Sequence, residues 1–241
     1  MGNSNVLGLA LAGALMATGI ATGGYFISET IYKSKVGINT AEAKGLAERR
    51  VTSDRANWNV SFKVQGGKDT VMAALYSKYE RHQKIIIDEL KKIGFSDEEI
   101  AIGSADYYGQ EFRNDAQEIV DVKYSLSGLL SISTDNVPLV GKARVSVSKL
   151  IAQGVSIDNQ RPTYQFTKLN DIKPDMLKEA TENARIAAET FAENVGAKVG
   201  GIRSARQGGF NITDAGEEYG DRNKIEKDVR VVTTVSFYIE N

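Results

Sequence analysis

Residues 55–65 read RANWNVSFKVQ. Ala56, Trp58, Val60, Phe62 and Val64 fall on one side of an extended chain, and Arg55, Asn57, Asn59, Ser61 and Lys63 fall on the other. Strict period two means one face on a core and one on water, which predicts a strand of an antiparallel sheet. Gly66-Gly67-Lys68-Asp69-Thr70 follows. It superficially resembles a phosphate loop, but the first glycine is missing and Asp stands where Ser or Thr is needed after Lys. It reads as a strand-to-helix turn, with Asp69 or Thr70 capping the helix. The period then changes. Leu75, Tyr79, His82, Ile86, Leu90 and Ile93 form a helical stripe closed by Gly94.

The same two patterns recur outward from this point. Val120, Val122, Tyr124, Leu126, Leu130 and Ile132 predict a second strand, and Val229, Val231, Val235, Phe237 and Ile239 predict a last one. Residues 43–52 are a weaker strand candidate. A second helix uses Leu139 or Val140, Ala143, Val147 and Leu150, entered through Asn136 and Pro138 and closed by Gly154. A third uses Leu177, Thr181, Ala184, Ala188, Phe191 and Val195, entered through Asp171 and Pro174 and closed by Gly196. Residues 214–224, DAGEEYGDRNK, read as an acidic loop between the last two strands. The expected fold class is α+β, with antiparallel sheets and helices packed on one face. No Pro/Ser-rich linker divides residues 36–241, so they are expected to form one compact domain.

A different segment precedes this domain. The first charged side chain is Glu29, and Leu7–Ile27 is apolar or small throughout, LGLALAGALMATGIATGGYFI. In a helix these residues span roughly 30 Å, the thickness of a bilayer core. Residues 1–35 are therefore expected to be an N-terminal transmembrane helix with its linker, touching the lipid bilayer through residues 7–27. A signal peptide is the alternative. It would carry Lys or Arg in its first residues and a shorter apolar run. Small residues near Ala17, Ala21 and Gly23 leave cleavage conceivable. Gly13, Ala17 and Ala21 recur every four residues, and Gly19 and Gly23 form a small-x-x-x-small pair, a pattern that lets helices approach closely in lipid. Lys33 and Lys35 follow the helix and would nominally keep its C-terminal side inside.

Composition narrows the function. The chain has 30 Lys+Arg against 31 Asp+Glu and a net charge of -1, which supplies no basic excess for nucleic acid. It has no Cys, so thiol nucleophiles and zinc-thiolate sites are excluded. Its one His, His82, lies on an apolar stripe and reads as a hydrogen-bonded core or interface histidine. No metal site, cofactor or catalytic residue is expected. Glu98-Glu99 and Glu217-Glu218 read as solvated loop carboxylates. Arg49-Arg50 read as surface salt-bridging groups, and Arg203 and Arg206 as a possible contact for an anion or a neighbouring subunit. Asn59 and Asn211 begin glycosylation sequons of the kind that chance supplies.

The stretch Ala43-Lys-Gly-Leu-Ala-Glu-Arg49 and the strand Trp58 to Phe62 resemble the opening of the SIMPL-domain family. More specific are Ala180-Thr-Glu-Asn-Ala-Arg185, Ala187-Ala-Glu189, Phe191-Ala192, Gly196, Gly201-Ile202, Ala205, Gln207-Gly208 and Phe210-x-Ile212. The ending Val229-Arg-Val-Val-Thr-Thr-Val235 is similar to that family's terminal strand. The resemblance covers about residues 40–241. It implies a bacterial envelope protein, exported to the periplasm or held at a membrane, with an α+β fold and a tendency to form oligomers. It implies no established enzyme activity. Many relatives resemble proteins with an ordinary signal peptide. The front of this chain departs from that, favouring an anchor in the bacterial inner membrane with the domain in the periplasm.

The expected function is a non-enzymatic, membrane-anchored envelope protein that self-assembles into a large homo-oligomer, its partner being itself. The alternative is a periplasmic binding module for a ligand or stress-related partner.

Overall fold

The computed structural model describes residues 3–35 and 39–240. In chain order the elements are α1 (Asn3–Lys35), β1 (Thr40–Thr52), β2 (Arg55–Gly66), α2 (Met72–Ile93), β3 (Ile100–Ile102), β4 (Asp106–Arg113), β5 (Ile119–Thr134), α3 (Val137–Lys149), β6 (Ser156–Asn159), β7 (Thr163–Gln165), α4 (Leu169–Glu193), β8 (Lys198–Gln207), β9 (Asn211–Asp214) and β10 (Glu226–Glu240). A single 3-10 turn, Asp97–Glu99, precedes β3, and another, Leu150–Gln153, extends α3. The fold is α+β with antiparallel sheets, as the alternation predicts. The chain separates into two compact units built from interleaved segments. One holds Met1–Ala47, Asp175–Gly209 and Val231–Asn241, and the other Glu48–Pro174 and Phe210–Arg230. The division falls inside β1, α4 and β10.

The larger unit is organised by the opening stretch. β2 is one of two inner strands, with β5, of a six-stranded sheet ordered β3-β5-β2-β6, with β4 also on β5 and β7 also on β2. Its apolar face, Ala56 to Val64, is buried together with Leu126, Leu130 and Ile132 of β5. The α2 stripe Leu75, Tyr79, Ile86 and Leu90 and the α3 stripe Val140, Ala143 and Val147 complete this core. Trp58 is buried, but its indole N–H donates to Asn159 Oδ1 at 3.0 Å, so burial leaves no unmet donor there. Gly128 pairs directly with Phe62, and a Cβ at Gly128 would sit 2.5 Å from the Phe62 ring. The missing side chain makes room for that ring against Tyr79, whose centroid is 5.0 Å away.

Two expected details differ here. The N-cap of α2 is Val71, with no side-chain cap, rather than Asp69 or Thr70. Thr70 is held back in the turn, its N–H donating to the Gly67 carbonyl at 3.0 Å. The phosphate-loop-like run is thus a turn. Gly94 closes α2 as expected, its N–H donating to the carbonyls of Leu90 and Lys91.

The smaller unit is built on small residues. The core of this unit joins Ala43 of β1, Ala184 and Ala188 of α4, and Val235 and Phe237 of β10. The buried stripe of α4 is Met176, Ala180, Ala184, Ala188 and Ala192. This corrects the predicted stripe, since Phe191 and Val195 are exposed. The reason is close approach. A Cβ at Gly45 would lie 1.8 Å from the Ala180 carbonyl oxygen, so α4 rests on β1 backbone to backbone. Around that approach the stripe is alanine, with Met176 one turn before Ala180. Asn183 adds a hydrogen bond to the Leu46 carbonyl at 2.7 Å. α4 also begins earlier than predicted, at Leu169, leaving Pro174 inside it, where Pro removes one intrahelical hydrogen bond.

α1 stands apart by composition. Its stretch Gly8–Tyr32 is long and apolar enough to cross a membrane, and is exposed in the chain. Thr18, Thr22 and Thr30 return their hydroxyls to the carbonyls of Ala14, Thr18 and Phe26, so these three hydroxyls are satisfied within the helix.

Candidate functional site

The most developed polar constellation lies in the larger unit, where β9 hands the chain to the acidic loop before β10. Asp214 ends β9 and is buried. Its Oδ2 accepts the Asn223 N–H at 2.9 Å, and its Oδ1 accepts the Lys224 N–H at 3.1 Å and the Lys227 ammonium at 2.5 Å. Lys227 is itself fully buried and also donates to the Asp221 carbonyl at 2.6 Å. Burial alone pushes the Asp214 carboxyl up. The Lys227 ammonium and the two backbone N–H groups outweigh it and hold the group below the ordinary carboxylate range. One carboxylate therefore gathers both ends of the loop.

A second clamp sits beside it. Arg50 grips Asp228 with two parallel hydrogen bonds, Nε to Oδ1 at 2.9 Å and Nη2 to Oδ2 at 3.1 Å. The Gly216 N–H adds a third donor to Asp228 at 2.8 Å. These donors, Arg50 first, hold the Asp228 carboxyl low. Lys224 ties the loop tip by reaching the Ala215 carbonyl and Glu217 Oε1, each at 2.8 Å.

Between loop and strand lies an open cleft of about 440 Å³, lined in part by Glu48, Glu217, Glu218, Tyr219, Asp228 and Arg230. Its carboxylates outnumber its one arginine, so its chemistry suits a cationic or hydrogen-bond-donating group. Among the described residues no group of three or more His, Asp or Glu side chains is placed to hold a metal ion.

The residues singled out from sequence lie elsewhere. Arg203 and Arg206 are exposed on β8, in the smaller unit, and neither lines this cleft. Gly13, Gly19 and Gly23 have open space where a Cβ would stand, and Ala17 and Ala21 are exposed on α1. His82 is buried on the α2 stripe as expected, but among the described residues its Nδ1 has no hydrogen-bond partner. Burial, then the charges of Lys78 and Arg81, hold its imidazole below the ordinary histidine pKa. Glu99 is not a loose carboxylate. It closes a capping box with Ser96 and accepts the Thr134 hydroxyl at 2.5 Å. Sequence reading missed the Asp214–Lys227 pair altogether. Asp214 opens the polar run 214–224 whose composition marks a loop and Lys227 lies just past it in β10, and nothing in the spacing separates a buried carboxylate from its solvated neighbours.

Comparison with known proteins adds the following. The SIMPL family model, described as a protein of unknown function, matches residues 42–237. No curated protein matches the chain. An uncharacterized conserved protein from Listeria innocua, known from a crystal structure, is 13% identical. That match covers 76% of this chain and 90% of the other, with a TM-score of 0.23. With the family model covering nearly all of the chain beyond α1, this protein belongs to the SIMPL family.

Proposed function

We propose that the protein is a non-enzymatic envelope protein, anchored in the membrane by α1, that self-assembles into a large homo-oligomer through its SIMPL domain. The observation that carries this is apolar surface left open on regular elements. Tyr107 and Tyr108 on β4, Ile186 and Phe191 on α4, and Val195 just past its end are all more than half exposed. Large side chains on rigid strands and helices are the material of protein contacts. The small-residue face of α1 supports clustering of the anchors in the bilayer. The location that fits is the bacterial inner membrane with the domain in the periplasm; release to the periplasm after cleavage is the alternative. The test is particle mass after mild detergent extraction, with the N-terminus mapped by mass spectrometry. A multimeric particle retaining residues 7–27 supports the reading, and a strictly monomeric particle overturns it.

The cleft beside Tyr219 favours a second reading, a periplasmic binding module. Its acidic lining points to a cationic ligand. Arg203 and Arg206, on the exposed β8, would instead suit an anionic one. Loss of a detected ligand on Glu218→Gln would place that ligand in the cleft, and loss on Arg203→Ala with Arg206→Ala would place it on β8.

A further inference from the structure

We infer that the free edge of β4 is a two-fold contact with a second copy of this chain, extending the six-stranded sheet across the pair with Gln110 opposite Gln110. This rests on the self-assembly reading and names a surface for it.

Among the described residues three strands of eight residues or more, β1, β4 and β8, carry an unpaired edge, and they are built differently. β1 pairs only with β10 and carries Lys44, Arg49 and Arg50. β8 pairs only with β10, and its register breaks twice, between Ser236 and Phe237 and between Phe237 and Ile239. It also carries Lys198, Arg203 and Arg206. Bulges and cationic side chains are the devices that keep an edge from pairing with another chain. β4 pairs only with β5 and keeps its register from Asp106 to Phe112, with one shift, between Phe112 and Arg113, where the extra residue, Val120, is on β5. It holds no Pro and no Lys, and its residues from Asp106 to Glu111 are all exposed. The β1 and β8 edges carry several cations, and the β4 edge carries one, Arg113, at its end.

The β4 edge also complements itself. Two antiparallel strands related by a two-fold axis put each residue opposite one on the same sheet face, so paired positions differ by an even number. With Gln110 on the axis, Tyr108 faces Phe112 twice on one face, and Tyr107 faces Arg113 twice on the other. Aromatic pairs and a cation over a ring are favourable cross-strand partners. Glu111 falls opposite Gly109, which leaves space for it, and each Glu111 is already paired with its own Arg113 at 2.7 Å. Moving the axis to Gly109 sets Asp106 against Phe112 and brings no aromatic pair together. Moving it to Glu111 sets two carboxylates face to face.

The chain has no cysteine, so a single Gln110→Cys in the full-length protein reports only on itself. Directly opposed residues of an antiparallel pair have Cα atoms about 4.5–5.5 Å apart, within disulfide reach. In mild detergent under gentle oxidation, Q110C is expected to run mainly as a covalent dimer on a non-reducing gel, and Arg206→Cys to run as a monomer. Gln110→Lys puts two cations on the axis and is expected to lower the particle mass at least two-fold, with the far-UV circular dichroism unchanged. Particles of wild-type mass in which Q110C stays uncrosslinked overturn the contact and leave the assembly reading standing. A monomeric wild type overturns the assembly reading itself, and the contact with it.

Discussion

Asp214 and Lys227 show how much a polar stretch can conceal. Both side chains are nearly or fully buried and each is met by further hydrogen bonds, so removing one partner strands the other as an uncompensated charge. Asp214→Ala is expected to cost about 3–5 kcal/mol in urea unfolding, whereas replacing both residues by apolar ones of similar volume costs far less. The depressed Asp214 carboxyl stabilises the fold above its unfolded pKa and loses that contribution as pH falls through its lower folded value. His82 acts in a higher window. Its folded pKa is lowered, so below about pH 6.5 the unfolded chain takes up a proton that the folded chain refuses. Thermal stability is therefore expected to fall between pH 7 and pH 5.5, and His82→Gln to flatten that slope. A slope unchanged in H82Q would assign the acid sensitivity to other groups. The burial of His82 was legible, because its position on the stripe fixes which way it faces. Its unmet Nδ1 was not, because hydrogen-bond partners come from whatever packs across from it.

At the scale of elements, period was readable and phase was not always so. In β2 the apolar residues of the alternation are buried, and in α2 Leu75, Tyr79, His82, Ile86 and Leu90 of the predicted stripe are, so the pattern names the right face. In α4 the helical period is present, yet Ile186 and Phe191 point outward and an alanine stripe is buried. Hydrophobicity ranks Phe above Ala, but around the close approach at Gly45 the stripe is alanine. Gly45→Ala is expected to destabilise by about 1–3 kcal/mol or more through overpacking, while Gly201→Ala, with open space around it, leaves the denaturation midpoint nearly unchanged. Equal midpoints for the two variants would refute the close seam. β4 escaped the sequence reading for a related reason. Alternation records one wet and one dry face, and in β4 both faces are exposed over Asp106–Glu111, so there is no alternation to read.

For the whole molecule, α1 and the domain follow different rules. Among the described residues nothing covers the apolar stretch of α1, which is consistent with lipid as its surroundings. If its small-residue face joins anchors, Gly19→Leu with Gly23→Leu is expected to lower the fraction of multimers in detergent without releasing the protein from membranes. Release into the soluble fraction would mean that this pair matters for insertion instead. By itself the sequence determined the antiparallel α+β class, the two large helices and their sheet, the apolar N-terminal helix and the family, because periodicity and length are local properties that burial and bilayer thickness impose directly. Only the tertiary structure decided that the domain residues fall into two units of interleaved segments, that alanines rather than phenylalanine seat α4, that Asp214 meets Lys227 inside, and that β1, β4 and β8 are left with an unpaired edge. Each of these depends on which backbones approach one another across long stretches of chain, and no local pattern of hydrophobicity or charge encodes that distance.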